Sequence, residues 1–504
     1  METTQASPIT TRLLKGSSVI FFFTLITSPL GYIIRMIFSR SLSIEEYGLI
    51  YAMLSFFALL TMVNDLGFGH AVAYYVPKYV TLGKFKVAWL LYRYDQIIEV
   101  LTSVCISGFL LLTNSFWVET FFKHESAYQL LWLFSLYLIA NGVISSIQNL
   151  LVGLQKENQY SVIEFVRLGF TFVFSLFFFL SDITNILWYA SAFVLGYILV
   201  AAIFIVYIQR FKVEKVPLLW KPALIKKSFT YAIPTFFATS LFILINYTDM
   251  IFLTAFQSIE QVGLYNIIFP VISVAILLLE PMRIMLVPLI SELHEENRFS
   301  EISILVNQLL IVVPVASVYF LLFIFLFPEG VISLLFGSKW VDASSHLLQF
   351  MALGYMPLIL MTYLTSIVSG IGRVKERLSM SVVLAVVSLM FGSVGAFMLG
   401  IMGIIIANVV VYMLSIGMLL YILKKDIRYS IPFVSYLALG VVWLVFYWIR
   451  HLFEYVPVST IDVLITGGLY SILFAVVMII TRLIDIQIIN QIFQYIRPQK
   501  NTSD

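Results

Sequence analysis

Ser43-Ile44-Glu45-Glu46-Tyr47-Gly48-Leu49 returns 258 − 43 = 215 residues later as Ser258-Ile259-Glu260-Gln261-Val262-Gly263-Leu264. Each copy fills a short polar break between two long apolar runs. Gly153-Leu154-Gln155-Lys156 echoes Gly370-Ile371-Gly372-Arg373 at 370 − 153 = 217, and Leu130-Leu131 echoes Leu347-Leu348 at the same offset. Three matches at nearly one spacing point to an internal duplication, provided that the apolar runs around them keep the same register.

Those runs define the class of protein. The chain has 504 residues, 61% hydrophobic and 11% charged, with a mean hydropathy of +1.00, more apolar surface than one soluble core can hide. Runs of about 20 apolar residues match the thickness of a bilayer, whereas a membrane β-barrel shows alternating segments of about ten. Helices are expected at about 17–39, 47–76, 87–113, 127–152, 160–181, 186–209, 229–256, 263–291, 303–327, 344–370, 378–399, 403–423, 432–450 and 460–481. The first run is too long for a signal-peptide core and has no small-residue cleavage site, so it should stay in the mature chain.

The expected fold is therefore an all-α polytopic membrane protein of about 14 spans. Spans 1–6 match spans 7–12, and two more follow. Six is even, so both copies enter the membrane from the same side, as parallel repeats. The expected division is an N-terminal bundle at 1–212, a linker at 213–228, a second bundle at 229–425 and an additional pair of spans with a tail at 426–504.

Basic residues in short loops set the orientation. With the N-terminus in the cytoplasm, Lys78, Lys84, Lys86, Lys156, Lys226, Lys227, Arg298, Arg373, Lys375, Arg377, Lys424 and Lys425 fall inside, and Arg40, Lys123, Lys339 and Arg450 outside. Both termini of this cell-membrane protein are then cytoplasmic, and the twin Ser-Ile-Glu stretches lie on the outer face. The basic Arg210–Lys227 connection reads either as an amphipathic segment on anionic headgroups or as a solvated linker. The tail Arg497–Asp504 is polar.

Cys105 is the only cysteine, so no intrachain disulfide and no cysteine metal site is possible, and it is expected to pack inside the third span. There is no nucleotide-binding loop and no metal-ligand spacing. No cofactor, metal or nucleic-acid partner is expected, nor an enzymatic activity.

Ionisable groups at membrane depth are costly, which makes them the candidate functional residues. Asp65 and Glu280 are 280 − 65 = 215 apart, at equivalent places in the two repeats. Arg35 and Asp249 come from nearly equivalent places in spans 1 and 7 and are candidates for an outer closing contact. Asp95 and Glu99 are like charges at i, i+4, unfavourable unless one is protonated or Arg93 or Arg167 lies close, so they read as an ion site or as part of an inner-rim salt-bridge cluster. Glu164–Arg167 and Glu280–Arg283, each at i, i+3, either pair locally to make burial tolerable or face a water-filled cavity. Glu164 and Arg167 belong to the inner rim. Pro281, between Glu280 and Arg283, would free a carbonyl.

The stretch Gly31–Arg40, the loop Leu42–Leu49, the segment Asp65-Leu66-Gly67-Phe68-Gly69 and the turn Gly153–Lys156 resemble the multidrug/oligosaccharidyl-lipid/polysaccharide exporter superfamily. Within it the chain is most similar to the polysaccharide biosynthesis proteins that flip lipid-linked oligosaccharides. The resemblance implies two bundles that open alternately around a partly cationic cavity. It further implies a polyprenyl-(pyro)phosphate-linked oligosaccharide as substrate, with membrane lipids and other glycan-assembly proteins as partners. Arg35 and Arg283 are then the candidates for phosphate contacts, because a guanidinium matches phosphate geometry. A cation-coupled multidrug exporter and an integral-membrane glycosyltransferase or polymerase of the same pathway are the competing readings. An acidic cavity would favour the exporter and a large outer loop the polymerase.

Overall fold

The computed structural model describes residues 8–209, 221–453 and 460–481. Most of the 210–227 connection and the whole 497–504 tail lie outside the described residues. Every regular element described is helical. Twelve described helices are long and apolar enough to cross a membrane. The expected spans 1 and 7 coincide with α1 (Pro8–Ser41) and α9 (Pro222–Phe256), whose side chains are described only in part.

The chain divides into two compact units, Met1–Gly263 and Leu264–Asp504. The first holds α1, α2 (Ile44–Asn64), α3 (Phe68–Thr81), α4 (Phe85–Leu112), the single turn α5 (Asn114–Phe116), α6 (Ala127–Gly153), α7 (Glu157–Leu180), α8 (Ile186–Gln209) and α9. Helix α1 lies along α7, α4 along α6, and α8 along both α6 and α7, while α9 packs on α2 and α3. The core is built from Phe68, Val72 and Val76 of α3, Leu90, Leu91 and Tyr94 of α4, Ile144, Ile147 and Leu151 of α6, and Val200 and Phe204 of α8. In lipid, apolar burial between helices gains little, so such contacts hold chiefly through close packing.

The second unit continues with α10 (Ile259–Glu295), whose first turn contains the division, then α11 (Phe299–Leu326), α12 (Pro328–Phe336), α13 (Val341–Gly354), α14 (Met356–Gly370), α15 (Val374–Leu399), α16 (Ile401–Leu423), α17 (Phe433–Phe453) and α18 (Thr460–Ile480). The additional pair α17–α18 is seated on α11. Val315, Leu322 and Leu326 meet Leu439, Phe446, Tyr470 and Phe474. Tyr436 donates to the Leu310 carbonyl at 2.9 Å and Tyr470 to that of Tyr319 at 2.7 Å. Arg450 of α17 pairs with Glu329 of α12 at 3.0 Å.

The repeated stretches are helix starts. Ser43 caps α2 reciprocally: its hydroxyl accepts from the Glu46 amide at 3.1 Å, and its own amide donates to the Glu46 carboxylate at 2.9 Å. This is the S-x-x-E/Q capping box, a signal present in both copies. Both glycines of the repeat lie in the first unit, backbone against backbone. A Cβ on Gly48 would collide with the carbonyl of Ile259 and the amide of Gly263.

The expected span at 47–76 is not one helix. It ends at Asn64 and restarts at Phe68, through Leu66 and Gly67 in left-handed conformations (φ +50° and +77°). The expected span at 344–370 is likewise two helices meeting at Tyr355, with Pro357 in the first turn of the second. Cys105 lies on an exposed face of α4 rather than packed inside the span.

Candidate functional site

The chemistry of the first unit gathers around the break between α2 and α3. Asp65 follows the last residue of α2, and its carboxylate accepts from the amide of Gly67 at 2.8 Å and of Gly69 at 3.2 Å. It thus closes a turn and covers an otherwise orphan amide at the start of α3, the place where an anionic side chain also meets the positive end of the helix dipole. Gly67 is needed there: besides its positive φ, a Cβ would come within 2.5 Å of the Ala232 carbonyl and 2.7 Å of Phe236 on α9.

Next to this break, Asp95 and Glu99 share one face of α4, 0% and 1% exposed. Asn149 of α6 donates to Asp95 Oδ2 at 3.1 Å. Asn64 donates to the Ser103 hydroxyl at 2.7 Å, and that hydroxyl donates to the Glu99 carbonyl at 2.6 Å. Thr102 bonds back to the carbonyl of Ile98, at 2.7 Å, and to that of Asn64. Arg93 is exposed, two residues away and off the buried face. Among the described residues, neither Asp95 nor Glu99 forms an ion pair.

The other charged residues have named partners or surroundings. Arg35 of α1 holds its guanidinium 4.4 Å from the centre of the Tyr51 ring and bonds Tyr47, both in the first turns of α2. Asp249 lies half-buried on α9, between buried Thr248 and Met250. Arg167 of α7 grips Glu164 with two nitrogens, Nε to Oε2 at 2.9 Å, and lies 4.6 Å from the Tyr197 ring of α8. In the second unit, Arg283 of α10 grips Glu280 in the same way, Nε to Oε2 at 2.7 Å, and donates from a third nitrogen to Ser366 of α14 at 3.1 Å. Tyr363, one turn before Ser366, donates to the Leu279 carbonyl at 2.7 Å. Local pairing thus accounts for both i, i+3 couples. Helix α10 continues through Pro281 without a break.

Two arginines outside the spans organise connections. Arg298, after α10, bonds Glu301 at 2.5 Å and Glu296 at 2.8 Å, and these carboxylates push its pKa up. Arg373, in the second Gly-Leu-Gln-Lys-like turn, reaches Asp426 at 2.6 Å and Glu376 at 2.8 Å, which raise its pKa and tie the start of α15 to the end of α16. Among the described residues, no group of three His, Cys, Asp or Glu is placed to hold a metal ion.

Comparison with known proteins agrees with this architecture. Residues 13–294 match the family described as polysaccharide biosynthesis protein, and residues 234–394 match the MatE family. A relative in Methanocaldococcus jannaschii, described as an uncharacterized membrane protein, MJ1068, is 23% identical over 444 residues, covering 83% of this chain and 85% of its own length. The fold is similar to that of the lipid II flippase MurJ in an inward closed conformation, with a TM-score of 0.69 at 15% identity, over 92% of this chain and 98% of that one. It is also similar to an inward-facing multidrug resistance MATE family transporter, with a TM-score of 0.64 at 15% identity, over 79% of this chain and 94% of that one. The chain belongs to the polysaccharide biosynthesis protein family, in the superfamily of multidrug, oligosaccharidyl-lipid and polysaccharide exporters.

Proposed function

We propose that this protein flips a polyprenyl-(pyro)phosphate-linked oligosaccharide from the cytoplasmic to the outer leaflet of the cell membrane, with both termini in the cytoplasm. The observation that carries the reading is the family match across residues 13–294, which includes both copies of the repeated stretch. The likeness of fold to a lipid II flippase over 92% of the chain supports it.

Arg283 is the first phosphate contact. Its side chain is 31% exposed and that of Glu280 29%, so a phosphate can reach the guanidinium and take the place of the carboxylate. An arginine forks two parallel hydrogen bonds to either anion, and the exchange conserves geometry. Arg35, held by tyrosines, is the second contact, and Asp249 the candidate for closing the outer side. Moving one negative charge outward through about 100 mV is favoured by about 2.3 kcal/mol, which gives an anionic headgroup a driving force of its own. Other glycan-assembly proteins are the partners this reading implies.

Deleting the encoding gene and assaying lipid-linked sugars in the cytoplasmic leaflet tests the proposal. Accumulation of one such glycolipid, relieved by wild type and not by Arg283→Ala, is the expected result. If none accumulates, the proposal fails. The MatE match at 234–394 favours a second reading, a cation-coupled exporter of amphiphilic drugs. That reading predicts drug sensitivity in the deletion strain with no change in glycolipids.

A further inference from the structure

Of the described buried oxygens in the first unit that have no hydrogen-bond partner, three belong to the contact between α2 and α4: Asp95 Oδ1, Glu99 Oε1 and Asn64 Oδ1. They belong to side chains 0%, 1% and 1% exposed, tied to one another through Ser103 and the backbone of α4. The remaining carboxylate oxygens of the two acids have neutral partners, the Asn149 amide for Asp95 and the Ser145 hydroxyl for Glu99. Neutral donors cannot balance two negative charges in a water-poor interior. Such a pair ionises together only with a cation beside it.

Among the described residues, no cationic side chain fills that place. Arg93 is exposed on another face of α4, and Arg167 is held by Glu164 and Tyr197. Of the elements packed against α4, α6 brings Ser145 and Asn149, and α2 brings Asn64. The next charged group is Asp65 at the helix break, with exposed His70 near it. Lys78 lies two and a half turns farther along α3. A metal ion would need several oxygens converging on one point, and no three acidic or imidazole groups among the described residues converge in that way. A proton needs only one free carboxylate oxygen to sit on, and Asp95 and Glu99 each have one.

We propose that Asp95 and Glu99 form a proton-binding site under the break between α2 and α3, and that the charge of the pair sets how firmly α3 is held. Binding converts a carboxylate to a carboxylic acid, whose O–H becomes the donor that the free oxygens lack. Release leaves a charge that pulls on the Asn149 amide. That amide lies against Gly69 in the first turn of α3, where a side chain would displace it. Asn64, the last residue of α2, is bound to the same α4 turn. The pair is therefore linked to both sides of the break, through Asn149 to the start of α3 and through Ser103 to the end of α2. The site does not depend on which cargo the protein carries, so its test needs no substrate.

The test uses the purified full-length protein in lipid nanodiscs, with Asp95→Asn/Glu99→Gln as the comparison. Each amide mimics the protonated acid. In infrared difference spectra between acid and alkaline buffer, the wild type shows a carboxylic C=O band that shifts in D2O, and the double variant loses it. The thermal midpoint of the wild type falls as pH rises, and that of the variant stays level. A band that survives in the variant, or wild-type and variant midpoints with the same pH dependence, overturns the proposal. A saturable stabilisation by Na+ that the variant loses also overturns it, in favour of a metal cation. Failure of the variant to fold counts against it too, because the amides keep the packing of a protonated pair.

Discussion

Residues 64–69 and 279–284 hold matching places in the two repeats, yet one is a broken helix and the other runs straight through. In the first, Asp65 is short enough to reach the amides of Gly67 and Gly69, and Gly67 supplies the left-handed turn. In the second, the matching acid is the longer Glu280, Met282 stands where Gly67 does, and Arg283 takes the carboxylate sideways along the helix. One acid satisfies backbone and the other satisfies a cation. Two stretches at matching sequence spacing thus carry different chemistry, a broken joint beside buried acids in one unit and an accessible guanidinium in the other.

Gly67→Val should have the largest effect on that contrast. It adds both a strained φ and a clash with Ala232 and Phe236, and should cost about 3 kcal/mol or more, whereas Met282→Val in the unbroken α10 should stay within about 1 kcal/mol. Thermal unfolding of the two variants in detergent checks this, and equal losses would dissolve the distinction. Next comes Arg283→Met, which strands the Glu280 charge. With both side chains about a third exposed the cost should be about 1–2 kcal/mol, recovered in Glu280→Gln/Arg283→Met by a double-mutant cycle. Asp65→Ala removes an acceptor at a helix start and should lose about 1 kcal/mol, while Asp65→Asn, which keeps the oxygen, should lose less than half of that. A similar loss for both would show the charge, rather than the bonds, to be what matters. Leu66→Gly should be the smallest change and in the opposite sense. It relieves a left-handed leucine and should stabilise by about 0.5 kcal/mol in the same assay.

The joint was partly legible. Asp-x-Gly is a turn signal with a mechanism, and it stands in the sequence at Asp65-Leu66-Gly67. A hydropathy window of some 20 residues averages across it, because Leu66 and Phe68 are as apolar as the helices on either side. The same averaging merged α13 with α14 across Tyr355-Met356-Pro357. The capping signals S-x-x-E and S-x-x-Q stand in the sequence too, and the box formed at Ser43 shows why the first stretch carries those residues: it starts a helix after a break. The i, i+3 couples Glu164–Arg167 and Glu280–Arg283 formed as spacing alone allows, since both partners ride one helix. The surroundings of Asp95 and Glu99 were not legible. Spacing placed them on one face of α4 and offered Arg93 and Arg167 as neighbours, but one of those points elsewhere and the other is already held.

What this chain's sequence determined by itself is whatever depends on local composition and short-range spacing. The bilayer demands long apolar runs with internally bonded backbone, so class, repeat and approximate helix positions follow from residues close together in the chain. What the tertiary structure alone decided is which polar groups share an interior. That Asn149 reaches Asp95 across 54 positions, that Ser366 meets Arg283 across 83, and that nothing basic reaches Asp95 or Glu99 among the described residues depend on how helices pack side by side. In a low-dielectric interior those meetings set the cost of every charge, and no periodicity along a single helix encodes them.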